Sequence, residues 1–335
     1  MPTKLLHVGL GPIGAAIVRQ AARRGGLVVT GAVDLDPRMA GRDIGEVVGL
    51  RRRFGVKVRG DLADALRVLR PDVAIVSTTS SLAGAFPVLE TILKAKVPIV
   101  STTEELAYPV KAHAAIAKRI DAAARRGRVA VLGTGVNPGF AMDVLPIVLT
   151  AVCEDVTAIE VDRIQDARVR RLPFQQKIGA GLTPDEFSAR VKAGTVRHVG
   201  LAESIAMIAD AVGWKLDRVT DHIKPMIADE PVRSGDIVVE RGAVSGLVQD
   251  GVGFRKGKPV VTLHMEAYLG AIDPHDEVRI AGTPPLVVRA AGGIHGDVAT
   301  ASMVLNAIPK LLQAPPGLRT MRDMVLPSFA GALRK

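Results

Sequence analysis

The sequence predicts an α/β protein: a doubly wound parallel sheet at the N-terminal end, then a second α+β domain on a mostly antiparallel sheet. Three observations carry this. Residues 1–134 alternate short apolar runs with helix-period stretches, the pattern of strands joined by crossover helices. A glycine-rich turn, GLGPIG, follows the first apolar run directly. After about residue 140 the rhythm changes to longer, alternating runs with few helices between them.

In chain order, KLLHVGL reads as the first strand and VVTGAVD (28–34) as the second. DVAIVST (72–78) is apolar enough for a strand buried on both faces. VPIVST (97–102) and RVAVLGT (128–134) complete the parallel series. The helical stretches between them include AAIVRQAARR and PVKAHAAIAKRIDAAARR. Further on, 155–164, 245–257, 259–269 and 276–291 read as strands, with helices at 184–193 and 201–213. GDVATASMVLNAIPKLLQ (296–313) is an amphipathic helix stopped by Pro315 and Pro316. The expected division is a first domain over 1–140, a second over 141–295, and helix 296–313 packing back near the first.

At 335 residues the chain can build two cores, and no apolar run reaches membrane-spanning length. No signal-peptide pattern precedes the first strand, and a cytoplasmic protein is expected. Cys153 is the single cysteine, which excludes an internal disulfide and a cysteine-based zinc site; no metal is expected. The net charge is +10, yet basic runs are short and aromatics make up 3%, so no nucleic-acid partner is expected.

Gly9, Gly11 and Gly14 have the G-x-G-x-x-G spacing. The first permits a tight turn, the second lets backbone approach a pyrophosphate, and the third lets helix and strand pack closely. The turn follows a strand and opens a helix near Pro12 and Ile13, whose N-terminus suits phosphate. Asp34 closes the second strand, where a carboxylate accepts hydrogen bonds from the adenosine ribose. Together these point to a Rossmann site for a nicotinamide dinucleotide. Asp34 favours NAD, whereas Arg38 could meet a 2′-phosphate and admit NADP, so both cofactors stay open. Thr78, Thr79 and Ser80 leave the carboxyl edge of a central strand and are candidates for the nicotinamide ribose.

The stretch STTEELAYP sets Glu104 and Glu105 side by side after the VPIVST strand. A carboxylate beside the nicotinamide could stabilise an iminium cation and move protons on ammonia or a carbinolamine. Equally, both acids could simply favour the first turn of a helix. Adjacent loop residues point apart, so one of the two is expected to face the cofactor.

GLGPIG, STTEELAYP, GTGVNPGFAMD, RRLPFQQKIGAG, GGIHGDVATASMVLNAIP and APPGLRTMRD together resemble 2,4-diaminopentanoate dehydrogenases and the related native amine dehydrogenases. These have a dihydrodipicolinate-reductase-like architecture, and the resemblance spans nearly the whole chain. It implies a catalytic acid/base at Glu104 or Glu105, with Glu104 favoured as the nearer to the strand edge. It also implies Asn137, Pro138 and Gly139 at the nicotinamide, with Phe140 on the substrate side. His198 and His264 would be pocket residues of the second domain, and His295 would face the cleft or cap a helix. His7, His113, His222 and His275 receive no role. The histidine-pair, lysine and D-A-P-S-G-T-type features of true dihydrodipicolinate reductases are missing, which counts against that reaction. Arg168, Arg170 or Arg171 could bind a substrate carboxylate or lie in solvent.

The expected function is NAD(P)-dependent amine dehydrogenation: oxidative deamination of a small primary amine or diamino acid, reversed by reductive amination of a ketone or aldehyde with ammonia. The alternatives are an imine or carbonyl reductase and an NAD(P)-sensing binding protein. The resemblance implies a homodimer, with 1–140 as the NAD(P)-binding Rossmann domain and 141–295 as the substrate-binding and dimerisation domain.

Overall fold

The structure is a computed structural model, and it describes residues 1–235 and 237–330. Along the chain it contains β1 (Thr3–Val8), α1 (Pro12–Ala21), β2 (Leu27–Val33), α2 (Ile44–Val47), β3 (Val58–Arg59) and α3 (Leu62–Leu69). Then come β4 (Val73–Val76), α4 (Leu82–Lys94), β5 (Ile99–Ser101), α5 (Ala114–Gly127) and β6 (Ala130–Gly133). Next follow α6 (Val144–Leu149), β7 (Asp155–Asp166), α7 (Leu172–Lys177), α8 (Pro184–Lys192), α9 (Leu201–Ala211), β8 (Arg218–Ile227), β9 (Val232–Ser234) and β10 (Ile237–Val239). The remainder is β11 (Val244–Arg255), β12 (Lys258–Tyr268), β13 (His275–Thr283), β14 (Leu286–Ala291), α10 (Gly296–Leu311) and β15 (Gly317–Arg319).

The chain divides into two compact units, Met1–Gly139 with the chain from Asp297, and Phe140–Gly296. The first holds a seven-stranded parallel sheet in the order β15-β6-β5-β4-β1-β2-β3. β4 is buried at all four positions, which is why its sequence, VAIV, shows no alternation. Leu6, Val8, Val76, Leu89, Ile92, Ile99 and Val131 belong to one core. The order reverses between β1 and β4, so the loops after these strands' carboxyl ends flank the switch point where ligands bind in such sheets.

The second unit holds a six-stranded sheet ordered β14-β13-β7-β12-β11-β8, antiparallel except where β12 pairs with β7. β12 alternates buried and half-buried residues from Val261 to Tyr268, so its two faces differ. One face packs on α9: a Cβ at Gly251 or Gly253 would meet Ile205. The other is charged, with Arg279 bridging Glu160, Asp162 and Glu277.

Two expected elements need correction, and one strand was not expected. The run 276–291 is two strands, β13 and β14, because Pro284 and Pro285 supply no N–H to a ladder and turn the chain into a hairpin. The helix expected from Pro109 starts at Ala114. β8 is not predicted by the apolar pattern, since Asp221 and Pro225 interrupt the alternation of this edge strand.

Candidate cofactor and catalytic site

Two of the three glycines of the turn are required by the fold itself, and the third is not. Gly9 has φ +91°, and a Cβ there would sit 2.6 Å from the Ser77 carbonyl oxygen. A Cβ at Gly14 would collide with the Gly9 carbonyl oxygen. Gly11 has ordinary dihedrals, and a Cβ there would meet nothing within 4 Å. Nothing in the fold demands a glycine at position 11, whereas a pyrophosphate approaching the backbone does. Gly11 is the N-cap of α1, with Pro12 in the first turn and no side-chain cap. This open cradle fits a dinucleotide phosphate.

Asp34 fits the ribose end. Its Oδ2 accepts from the Leu10 N–H at 2.6 Å and its Oδ1 from the Asp36 N–H at 2.9 Å. Each oxygen keeps a second lone pair for a ribose hydroxyl. Arg38 is 87% exposed at its side chain and forms a bidentate pair with Asp36, its Nη2 2.6 Å from Oδ2. The Arg38 guanidinium holds the Asp36 carboxyl down to about 2. The sequence reading had not picked out Asp36. Thr78 and Thr79 are exposed on the loop after β4, and Thr79 accepts the Ser81 N–H.

β5 ends at Ser101, and Glu104 and Glu105 open a single 3-10 turn that runs to Leu106. Glu105 is engaged elsewhere: its Oε2 accepts the Leu82 N–H at 2.7 Å, at the start of α4, and lies 3.3 Å from Nε2 of His113. One carboxylate of the pair thus satisfies a helix N-terminus, though of α4 rather than of a helix following the acids. Glu104 is half-buried on the same turn. Farther along, Gly139 has φ +127°, and a Cβ there would lie 2.8 Å from the Thr134 hydroxyl. The segment with Asn137 and Pro138 is buried, and the Val136 N–H donates to the Thr300 hydroxyl at 3.3 Å.

In the second unit Phe140 is half-buried, and its carbonyl accepts the Leu145 N–H. His198 lies on a loop held by Gln249, which donates to its carbonyl and accepts its N–H at 2.8 Å. Burial, then the charges of Lys177, Arg163, Arg170 and Arg197, push the His198 imidazole well below its ordinary range. His264 differs. Nδ1 is 2.7 Å from Asp250 and Nε2 is 3.1 Å from Glu266. Partial burial opposes its charge, but these carboxylates outweigh it and raise its pKa.

Register separates the two histidines. Asp250 pairs with His264, whereas Gln249, Gly251 and Gly253 alternate with Asp250 and lie on the α9 face. The His198 loop is therefore bound from the α9 face and His264 stands on the charged face. His295 is exposed. Arg168 pairs with Asp166, and Arg170 stacks 4.0 Å over Phe174. No group of residues able to hold a metal ion occurs among the described residues. No described helix is long and apolar enough to cross a membrane.

Residues 140–334 match the family model for the 2,4-diaminopentanoate dehydrogenase C-terminal domain. A 2,4-diaminopentanoate dehydrogenase of Acetoanaerobium sticklandii is 32% identical over 332 residues, covering 97% of this chain and 94% of that protein. An amine dehydrogenase of Streptomyces virginiae is 24% identical over 361 residues, covering 97% of each. The structure of an amine dehydrogenase from Mycobacterium smegmatis superimposes with a TM-score of 0.89 at 22% identity, covering 99% of both chains. A dihydrodipicolinate reductase from Paenisporosarcina shares the fold more distantly, at a TM-score of 0.56 and 13% identity over 97% of this chain and all of that one. With the family model matching more than half of the chain and a relative of this identity spanning nearly all of it, the chain belongs to the 2,4-diaminopentanoate dehydrogenase family.

Proposed function

We propose that this protein is an NAD(P)-dependent amine dehydrogenase that interconverts a small primary amine or diamino acid with its carbonyl compound and ammonia. The observation that carries the catalytic part is the division of labour between the paired glutamates. Glu105 is bound to the start of α4 and to His113, and we assign the acid/base role to Glu104, half-buried on the same turn after β5.

Gly9, Gly11, Ile13, Gly14, Asp34, Thr78, Thr79, Asn137, Pro138 and Gly139 would hold the dinucleotide, whose nicotinamide supplies or accepts the hydride. Glu104 protonates the departing hydroxyl of the carbinolamine, takes the proton from ammonium, and stabilises the cationic iminium carbon–nitrogen bond. In the oxidative direction it holds the proton of the attacking water. On the substrate side we assign Phe140 and His198, and leave His264 to the charged sheet face. Neutral His198 can donate one hydrogen bond or accept one, not carry charge. His295 is assigned to neither cofactor nor substrate.

We assign NAD as the better cofactor. A 2′-phosphate would meet Asp34 and Asp36 at the end of β2, and Arg38 is already paired with Asp36. A homodimer in the cytoplasm completes the proposal. The test is an oxidative deamination screen of short primary amines and diamino acids with NAD and with NADP. Ammonia release with stoichiometric NADH, faster than NADPH, is expected. Reduction of a ketone independent of ammonium would replace this reading by a carbonyl or imine reductase. NADH binding with no turnover across the panel would replace it by a sensor.

A further inference from the structure

Among the buried polar groups that the proposed chemistry leaves unused is His7, on β1 two residues before the glycine turn. It is 1% exposed, and its Nε2 lies 3.0 Å from the Ser77 hydroxyl oxygen. That hydroxyl in turn donates to the carbonyl oxygen of Gly9 at 2.9 Å. Since the Ser77 proton is spent on Gly9, its oxygen accepts from His7, which assigns the proton of the imidazole to Nε2. Burial lowers the His7 pKa to about 4, against the opposing pull of the Gly9 backbone and of Asp34, so the ring is neutral at working pH.

All three polar atoms converge on one place. A Cβ at Gly14 would strike the Gly9 carbonyl and lie 2.8 Å from both His7 Nε2 and the Ser77 hydroxyl. The remaining groups of the turn are tied as well: the Gly9 N–H donates to the Val33 carbonyl at 2.9 Å, and the Leu10 N–H donates to Asp34. The Gly9 peptide is thus fixed from below by β4's end and from the side by β2. A buried carbonyl aimed at the Gly14 Cα needs a donor there, and Ser77 supplies it.

We infer that His7 and Ser77 form a two-step hydrogen-bond relay that positions the glycine turn for the dinucleotide pyrophosphate, with Ser77 holding Gly9 and His7 fixing the Ser77 rotamer. The inference rests on the assignment of the glycine turn as the cofactor site. Neither residue touches the cofactor; both act through the Gly9 backbone. In the absence of the relay the Gly9 carbonyl is free to tilt, and the N–H groups after it lose their fixed direction.

The experiment is a double-mutant cycle on the full chain with Ser77→Ala, His7→Leu and the pair, read by fluorescence titration of NADH and by steady-state kinetics. Ser77→Ala should weaken NADH binding about five- to ten-fold, the loss of one buried hydrogen bond. His7→Leu should weaken it about two- to five-fold, because the hydroxyl survives but is no longer oriented. The double variant should match Ser77→Ala alone, since a relay with its last link removed gains nothing from the first. The KM for cofactor should rise with kcat at saturating cofactor kept, which a general loss of stability would not produce. Additive effects, or folded variants within two-fold of the original affinity, would overturn the relay. Should the unaltered protein bind no NADH, the cofactor site itself would fall, and the relay with it. His7→Asn, which retains a donor, should recover part of the lost affinity if its melting temperature matches that of His7→Leu.

Discussion

The two sheets of this chain bury their polar groups in opposite ways. In the seven-stranded sheet the central β4 is apolar throughout, and the polar His7 of the neighbouring β1 is enclosed, neutral and tied to one hydroxyl. In the six-stranded sheet the residues alternate, and one face carries His264 between two carboxylates. Burial sets the first histidine's chemistry and neighbouring charge sets the second's. A side chain's identity therefore says little about its role until the sheet face it occupies is known.

The largest expected effect tests the catalytic assignment on the parallel-sheet side. Glu104→Gln should lower turnover by about 10²–10⁴-fold, the usual worth of general acid–base assistance, with NADH affinity near normal. Glu105→Gln should change turnover only a few-fold, because glutamine still accepts the Leu82 N–H. If the two variants exchange behaviours, the chemistry stands and the register of the assignment is wrong.

On the mixed-sheet side the largest effect should fall on stability instead. Arg163 and Asp276 are an almost fully buried ion pair, and Arg163 also donates to the Ile294 carbonyl at 2.9 Å. Removing one partner of such a pair costs about 3–5 kcal/mol, because the other is left charged in a dry site. Arg163→Met should show this in urea unfolding. Adding Asp276→Leu should recover much of it, and no recovery would mean the backbone bond matters more than the pair.

The histidines give the next test, and they differ in sign. Between pH 6.5 and about 4 the unfolded chain takes up a proton that buried His7 refuses. His7 thus leaves stability intact above pH 6.5 and withdraws it as the pH falls towards 4, by up to about 3 kcal/mol. His264 has a raised pKa, so its contribution is present at low pH and is lost as the pH rises through its folded value. His7→Leu should flatten the acid limb of a melting-temperature profile. His264→Gln should make a smaller change on the neutral side, where the site is partly exposed and solvent screens it.

Much of the first sheet was legible in the sequence because parallel strands buried on both faces read as plain apolar runs, and VAIV and VPIV do so. The glycine turn was legible for the same kind of reason, since Gly9 and Gly14 answer to backbone conformation and close packing. β8 was not, because Asp221 and Pro225 break the apolar alternation of Val219, Ile223 and Ile227. The tie between Glu105 and Leu82 spans two loops, and no local spacing encodes it. The opposite placement of His198 and His264 depends on a register of one residue, which only the pairing of β11 with β12 reveals. Asp36 was missed as a turn residue of no pattern, although its bond to Arg38 bears directly on the choice between NAD and NADP.

The position of β15 has a consequence for biosynthesis. It pairs with β6, Gly317 beside Ala130, although the whole second unit lies between them in the chain. A nascent chain therefore displays β6, whose four residues end up buried, as an open apolar edge until β15 has been made. Such an edge recruits other strands, and the exposure lasts as long as the ribosome takes to make the intervening segment. A chain shortened before Gly317 should keep the glycine turn and still collect in inclusion bodies.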